Sequence, residues 1–449
     1  MNRWSPFRSI ILVYVSIIII GTLLLLIPQS TYGISFIDAL FASASATCVT
    51  GLIVKDTATN FTFLGKGVIL FLIQIGGMGY MAFASLFMTL FRIKPDVKQS
   101  MVVKEEFGLF SREKISQFLR LVVLTTLGFE FLGIILLYFG FRQAGYLVND
   151  AISHSVFQSV SAFCNAGFSS FSTNLANFYM IPLVALTVPF LFITGGLGFV
   201  VLREIFERVG GIRNRLSLHS RIVLLSTLTL IATGSVMVFI LELGNKLSNF
   251  PLMDKIIISF FTAVTPRTAG FSLIDISGLL PTTLILLMIF MFIGASPGGT
   301  GGGIKTTTFV ILNFFMASKI KGRKSVNIEK RRISEEQVNK ALTLFLISLI
   351  LIISMVGILS FTEREIIKER GLLPVIFEEF SAFGTVGLSM GSSKAPNLSL
   401  SYDFSVIGKL IIILTMMAGR VGPLTIAAMV MHGRFIESVK YPLARVQIG

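Results

Sequence analysis

Charged residues are scarce in this chain. They make up 14% of its 449 residues, against roughly 25% in an ordinary soluble domain, which excludes a conventional water-facing surface over most of the length. Cysteine and histidine are nearly absent as well: Cys48 and Cys164, then His154, His219 and His432, are all there are. With no CxxC or HExxH spacing, neither a disulfide framework nor a thiolate or imidazole metal site has residues to stand on. An intramembrane enzyme would need paired acids, a Ser/His couple or a metal set within the apolar runs. His154 and His219 sit near the ends of such runs without those partners, so the chain is not read as an enzyme. No polar stretch is long enough for a soluble domain either; the longest, 319–340, is too short for a nucleotide-binding core.

Acids are outnumbered by bases, 23 to 38, for a net charge of +15. A basic chain invites a nucleic-acid reading, but the distribution argues otherwise. Of the 38 Lys and Arg, 25 lie at the N-terminus (Arg3, Arg8), in 92–120, 203–221 and 319–340, and after Met431. No basic segment carries the interleaved aromatic platform of a single-strand binder. Basic residues gathered in alternate connecting segments follow the positive-inside rule, with membrane lipids as partners through their anionic headgroups and both termini cytoplasmic. The segment 362–370 on the other side balances three acids with three bases.

What the chain has in abundance is apolar residues, 53% of the total, with mean hydropathy +0.84. The first long run, Ser9–Pro28, is about 20 residues, enough to cross roughly 30 Å of hydrocarbon as a helix. It is longer than a signal-peptide core and lacks a small-x-small cleavage site, so it is read as a retained span. Further span-length runs occur at 62–91, 118–141, 177–203, 221–243, 280–318, 338–361 and 403–432. Between the members of each pair lies a short apolar segment, at 36–46, 150–163, 252–264 and 374–383, too short to cross. Asp38, Asp150 and Asp254 mark the starts of three short helices and Pro374 the fourth.

An internal repeat organises these runs. Phe41–Gly51, Phe157–Gly167, Phe260–Gly270 and Phe377–Gly387 align without a gap, each with Phe ten residues before Gly and a large apolar residue after it. A serine stands six residues before the glycine in three copies (Ser45, Ser161, Ser381) and Val264 in the other. The glycines are 116, 103 and 117 residues apart, so the repeats tile the chain as 1–100, 101–213, 214–334 and 335–449. The expected fold is an all-α membrane protein with four in-line helix–pore loop–helix repeats, eight spans and four re-entrant pore helices. Two spans per repeat keep all four copies in one orientation, related by an axis along the membrane normal.

Non-helical backbone at membrane depth is tolerated only where it is buried in protein or lines a water-filled path. Four such stretches facing one axis can use their carbonyls to replace the hydration shell of a cation. The candidates are Cys48, Val49, Thr50 and Gly51; Cys164, Asn165, Ala166 and Gly167; Arg267, Thr268, Ala269 and Gly270; Gly384, Thr385, Val386 and Gly387. None contains Asp or Glu, so coordination is expected from main-chain oxygens, helped by the negative C-terminal ends of the short helices.

The motifs VTGL, NAGF, TPRTAGF and FGTVGLSMG resemble those of the Trk/Ktr/HKT superfamily of K⁺ transporters, closest to the Ktr-type membrane subunit, over nearly the full length. The resemblance implies K⁺ uptake across the plasma membrane through a filter with one glycine per repeat, here Gly51, Gly167, Gly270 and Gly387. Serine at the first of these goes with Na⁺ selectivity in relatives, so Gly51 implies K⁺, with Na⁺ as a possible activator and no organic cofactor in this chain. Cys48 stands where Thr is common, which a backbone role tolerates. The resemblance also implies a homodimer on a cytoplasmic ring of nucleotide-binding regulatory subunits, with the inner basic segments and Tyr441–Gly449 as contact surfaces. A K⁺ transporter coupled to Na⁺ or H⁺ shares the scaffold and is the alternative.

Each second span also carries a glycine-rich break: 76–79, 195–198, 294–306 and 419–423. The first two read as close helix packing. In the third, eight of thirteen residues are Gly, Ser or Pro, a composition foreign to a helix, and it resembles the family's intramembrane gating loop. A P-loop needs Gly directly before Lys, and Ile304 separates Gly303 from Lys305. Gly298, Gly299, Thr300, Gly301, Gly302, Gly303, Lys305 and Arg420 are the expected gating residues, and deleting the central glycines is expected to raise K⁺ flux. Arg420 inside an apolar run must face water or a partner: either a cation barrier touching this loop or an ion pair with an acid such as Glu130 or Glu204. Arg267 is expected to bond behind the filter and brace it. Lys305 tunes the gate or merely snorkels.

Overall fold

A computed structural model describes residues 6–79 and 115–422. Four times the chain runs a longer helix, a short helix ending in a turn, and a second helix. The first unit is α1 (Pro6–Leu25), α2 (Phe36–Thr47) and α3 (Phe63–Met78). The second is α4 (Ile115–Gln143), α5 (Val148–Phe163) and α6 (Pro182–Leu197), continued by α7 (Phe199–Val209). The third is α8 (Leu218–Glu242), α9 (Leu252–Val264) and α10 (Pro281–Ile293), with α11 (Thr306–Ile320) beyond the glycine-rich loop. A two-residue hairpin, β1 (Asn327–Ile328) and β2 (Arg331–Arg332), leads to the fourth: α12 (Glu335–Thr362), α13 (Arg364–Arg370), α14 (Leu373–Gly384) and α15 (Val406–Val421).

Local chemistry sets these boundaries. Ser35, Thr62, Ser217, Ser334 and Ser405 cap helix starts by accepting a backbone N–H three residues on, each such cap contributing about 1 kcal/mol. Pro182 and Pro281 sit in the first turns of α6 and α10, where a missing N–H costs nothing. The second helices of the four units all stop at a glycine with positive φ: Gly79 (+79°), Gly198 (+95°), Gly294 (+65°) and Gly422 (+97°).

Among the described residues three helices, α4 from Gln117, α8 and α12, are long and apolar enough to cross a membrane; a fourth span arises if α6 and α7, bent by 101° at Gly198, are counted as one. The continuous span expected over 177–203 is therefore a helix from Pro182 to Leu197 followed by a sharp turn. Residue 198 needs a left-handed backbone, and the chain leaves the span direction there. Within the charge-balanced segment 362–370, Arg364–Arg370 form α13. The remainder of the 62–91 and 403–432 runs, the basic residues 92–114, His432, both termini and Tyr441–Gly449 lie outside the described residues.

Packing closes the units on one another. Each short helix lies against the first helix of its own unit and against the second helix of the unit before: α3 on α5, α6 on α9, α10 on α14, and α15 back on α2. Five fully buried phenylalanines, Phe41, Phe163, Phe261, Phe377 and Phe383, belong to or end the short helices, while Phe141, Phe168, Phe192, Phe199 and Phe271 reach the core from outside them. The last contact is reinforced by a buried ion pair, Lys409 Nζ to Asp38 Oδ1 at 2.8 Å.

One register differs from the ungapped repeat. In the third unit Phe261, not Phe260, is the fully buried aromatic. Thr265, not Val264, does the work of the serine in the other copies. The turn after α9 is one residue shorter than its counterparts, which the constant Phe-to-Gly spacing concealed.

Candidate functional site

The turn after each short helix is fixed by one hydroxyl. Ser45 Oγ accepts the Gly51 N–H at 3.1 Å and Ser381 Oγ that of Gly387 at 3.0 Å. Ser161 donates to Phe168 O and Thr265 to Phe271 O, both at 2.6 Å. The main-chain oxygens of the same four residues accept from Thr50, Ala166, Ala269 and Val386, at 2.8–2.9 Å. Four hydroxyls thus hold four turns in one shape.

That shape alternates in hand. Val49, Asn165, Thr268 and Thr385 have φ of +56°, +60°, +69° and +50°, and two residues on, Gly51, Gly167, Gly270 and Gly387 have +92°, +70°, +73° and +89°. In an ordinary strand successive carbonyls alternate sides; alternating the sign of φ lets them share one side. Left-handed Val and Thr are strained, and four such residues at equivalent positions are held by the surrounding bonds.

The four glycines meet. A methyl group on Gly51 would come within 2.5 Å of Ala166 O and 2.9 Å of Gly167 Cα; one on Gly167, within 3.0 Å of Ala269 O and 3.1 Å of Gly270 Cα. One on Gly270 would strike Val386 O and one on Gly387 would strike Thr50 O. Each glycine faces the carbonyl preceding the next, and the circuit returns to its start. Neither larger side chains nor the φ values leave an alternative to glycine here.

On one side of this ring a cavity of about 300 Å³ opens, reached by all four glycines and by Ser169, Asn174, Asp275 and Ser389. Burial pushes the Asp275 carboxyl up, but the Ser277 hydroxyl and N–H and the Lys246 ammonium outweigh it and hold it below the usual carboxylate range. Asp275 therefore stands ionised at the mouth, with Lys246 Nζ 3.3 Å away. On the opposite side lies the 294–306 loop, and beyond it a second cavity of about 180 Å³ lined by Tyr14, Gly79, Gly301, Lys305 and Arg420.

The loop is stitched directly to the second, third and fourth units and, through Arg420, to the first. Thr300 Oγ1 donates to Asn165 Oδ1 at 2.9 Å, and Gly302 N donates to Thr385 Oγ1 at 2.9 Å. Gly301 packs so tightly on Thr268 Oγ1 that a Cβ there has no room. Thr300 N and Ser296 N donate to Gly195 O and Gly196 O, and Gly303 N to Gly419 O. Arg420 donates through Nη1 to Thr300 O and through Nη2 to Gly76 O. Lys305 Nζ turns back to Gly301 O at 2.7 Å and Gly302 O at 3.4 Å. Three of the four left-handed turn residues, Asn165, Thr268 and Thr385, thus address consecutive loop residues; the apolar fourth, Val49, packs at Gly76.

These contacts sort the sequence expectations. Arg420 reaches the loop and neither Glu130 nor Glu204: Glu130 accepts from Gln74 at 3.2 Å, and Glu204 pairs with Arg213 at 2.8 Å. In the repeat, Arg420 occupies the place of Gly77 and Gly196, directly after glycines (Gly76, Gly195, Gly419) pressed against the carbonyls of Thr47, Phe163 and Phe383 at the short-helix ends. Close packing and a broken helix are both properties of these segments. Lys305 binds the loop instead of snorkelling. Arg267 is buried, but its Nε and Nη1 have no hydrogen-bond partner among the described residues; its expected bracing role falls to Asn165, whose Nδ2 donates to Arg267 O at 3.3 Å and Thr268 Oγ1 at 3.1 Å.

Several positioning groups escaped the sequence reading. Glu363 accepts from Ser405 N and Oγ, Glu242 from Leu280 N, and Glu378 from Ser401 N and Oγ, so buried carboxylates hold the starts of α15 and α10 and the loop before α15. Lys409 was visible as a lone charge in an apolar run, a signal that it has a partner.

Comparison with known proteins gives a consistent picture. A family model described as a cation transport protein, TrkH, matches residues 5–435. The Ktr system potassium uptake protein B of Bacillus subtilis is 38% identical over 94% of this chain and 92% of its own. The potassium/sodium uptake protein NtpJ of Enterococcus hirae is 36% identical over 100% of this chain and 98% of its own. The crystal structure of the potassium transporter TrkH from Vibrio parahaemolyticus superposes with a TM-score of 0.76 at 20% identity, over 96% of this chain and 86% of that one.

Proposed function

The chain belongs to the TrkH family of cation transport proteins, and from that premise we propose that it is the ion-translocating membrane subunit of a K⁺ uptake system. It is a membrane transporter and not an enzyme. In this reading the four units, 1–100, 101–213, 214–334 and 335–449, form eight spans and four re-entrant pore helices around a central pore. The membrane is the plasma membrane, with both termini on the cytoplasmic side.

The observation that carries the proposal is the closed circuit of Gly51, Gly167, Gly270 and Gly387, with the carbonyls of Thr50, Ala166, Ala269 and Val386 beside it. Main-chain oxygens replace the hydration shell of K⁺. The C-terminal ends of α2, α5, α9 and α14 point partial negative charge at the same place. Asp275 concentrates cations at the outer mouth. Below the ring, Gly298 to Gly303 obstruct the path; Arg420 and Lys305 both hold that loop by its carbonyls, and Arg420 opposes a cation with its own charge. The gate opens when these bonds release.

The test is uptake of radioactive Rb⁺ and Na⁺ into proteoliposomes, native protein against Gly51→Ser. The change is expected to lower the ratio of Rb⁺ to Na⁺ uptake; an unaltered ratio rejects the assignment of Gly51. Two relatives carry system names, Ktr system potassium uptake proteins B and D, which supports a further subunit here. By the same reading that subunit is a cytoplasmic nucleotide-binding ring beneath a homodimer. A relative named for potassium and sodium together keeps the coupled transporter in view. Flux that reverses with the K⁺ gradient alone selects the uncoupled path.

A further inference from the structure

On the outer flank of α4, away from the pore, runs a groove of about 470 Å³ walled by Leu121, Leu124, Gly128, Phe129 and Leu132, with Phe206 of α7 closing it. Its N-terminal end is polar: Gln117 and Arg120 line it there, and Arg120 has no ion-pair partner among the described residues. From residue 117 to 132 the groove extends about 22 Å at 1.5 Å per residue. That is half the thickness of a bilayer of roughly 40–45 Å counted with its headgroups. The groove therefore has the length of a single leaflet, with a cation at one end and a remainder that is apolar apart from Thr125.

α7 closes the groove from the side. It turns by 101° from α6, so it lies across the end of that helix. Phe206 and Val209, 47% and 83% exposed, stand out beside Arg203 and Arg208. Phe206 stacks on Phe129 with ring centroids 6.3 Å apart, so α7 closes the groove near its apolar end, about 13 Å along α4 from Arg120. Gly128 sits midway along the groove with no atom within 4 Å of the position its Cβ would take, leaving a notch where a chain can lie against the backbone.

We propose that this groove is a discrete binding site for an anionic phospholipid of the inner leaflet, its acyl chain along α4 and its phosphate on Arg120, with Gln117 as a further donor. The leaflet follows from the orientation proposed above; the site itself follows from the groove. Its charge complementarity selects anionic over zwitterionic headgroups, since one basic residue at the membrane surface contributes about 1 kcal/mol, equivalent to about fivefold in affinity.

The experiment is native mass spectrometry of the purified full chain titrated with phosphatidylglycerol or with phosphatidylcholine of the same acyl chains. Native protein is expected to retain one phosphatidylglycerol per chain in preference to phosphatidylcholine. Gly128→Leu, whose Cβ would meet no atom within 4 Å, is expected to lose that lipid. Arg120→Gln is expected to bind both lipids equally, with phosphatidylglycerol about fivefold weaker than in the native chain. Gly357→Leu, an open glycine on α12, is expected to behave as native. Retention of phosphatidylglycerol by Gly128→Leu, or an unchanged preference in Arg120→Gln, overturns the proposal. So does a lipid count that is unaffected while light scattering shows Gly128→Leu changing the oligomer, because the groove would then hold a second copy of the chain. No transport is measured, so failure here leaves the ion pathway untouched, and failure of the pathway leaves the lipid count to stand or fall alone.

Discussion

Replacing Thr385 by Val separates the gate from the filter. Thr385 Oγ1 accepts the Gly302 N–H at 2.9 Å in a fully buried setting. Valine keeps the volume and the β-branch but cannot accept. With the loop in place, that N–H is left unsatisfied, at a cost of about 1–3 kcal/mol; with the loop displaced into the water-filled path, solvent satisfies it. The substitution thus destabilises the obstructed state alone, shifting the equilibrium toward the open one by about 5- to 150-fold. Backbone strain does not confound this. Thr385 has φ +50°, and Val49 already holds the equivalent position in the first unit at φ +56°. Rb⁺ uptake into proteoliposomes is expected to rise within that range, up to the rate of the fully open path, while the ratio of Rb⁺ to Na⁺ stays native because the ring carbonyls are untouched. Unchanged uptake by a protein of native melting temperature would refute the latch. A changed ion ratio would show that the loop and the filter are not separable.

Three further outcomes follow from the same contacts. Arg420→Gln removes charge-assisted bonds to Thr300 O and Gly76 O, each worth roughly 1.5–3 kcal/mol, together with the barrier charge, and should raise uptake by about tenfold or more in the same assay. Lys409→Met strands the buried Asp38 carboxylate and should cost roughly 3–5 kcal/mol, read as a lower melting temperature that the added change Asp38→Asn largely restores. Asp275→Asn should slow uptake by up to about fivefold at low ionic strength, an effect of about 1 kcal/mol, and the difference should vanish in high salt, where the mouth charge is screened.

Much of this architecture was legible because the repeat forces it. Phe, Ser and Gly at fixed spacing between apolar runs mark the short helix, the hydroxyl that fixes its turn and the residue that must take positive φ, and the structure uses them so in units one, two and four. The third unit misled because Val264 and Phe260 keep the count while Thr265 and Phe261 carry the burial and the bond; spacing measured to the glycine cannot see a turn that is shorter by one residue. Gly198 shows a second limit. Composition marked its segment as glycine-rich, but a glycine that packs closely and a glycine that turns the chain look alike in sequence, and here Gly195 does the first and Gly198 the second. The cross-unit contacts were the least visible. Asn165 with Thr300, Thr385 with Gly302, and Asp38 with Lys409 are separated by 135, 83 and 371 residues, and nothing local in either partner announces the other. Arg267 departs from its expected bracing role in the same way: its buried Nε and Nη1 have no hydrogen-bond partner among the described residues.

A dehydrated cation held by main-chain oxygens where the four repeats meet is tested most directly by anomalous diffraction from crystals grown in Rb⁺. A Rb⁺ peak is expected on the axis enclosed by Gly51, Gly167, Gly270 and Gly387, within coordination distance of the carbonyls of Thr50, Ala166, Ala269 and Val386. Rb⁺ found only in the outer mouth beside Asp275, with the ring empty at saturating concentration, would contradict it.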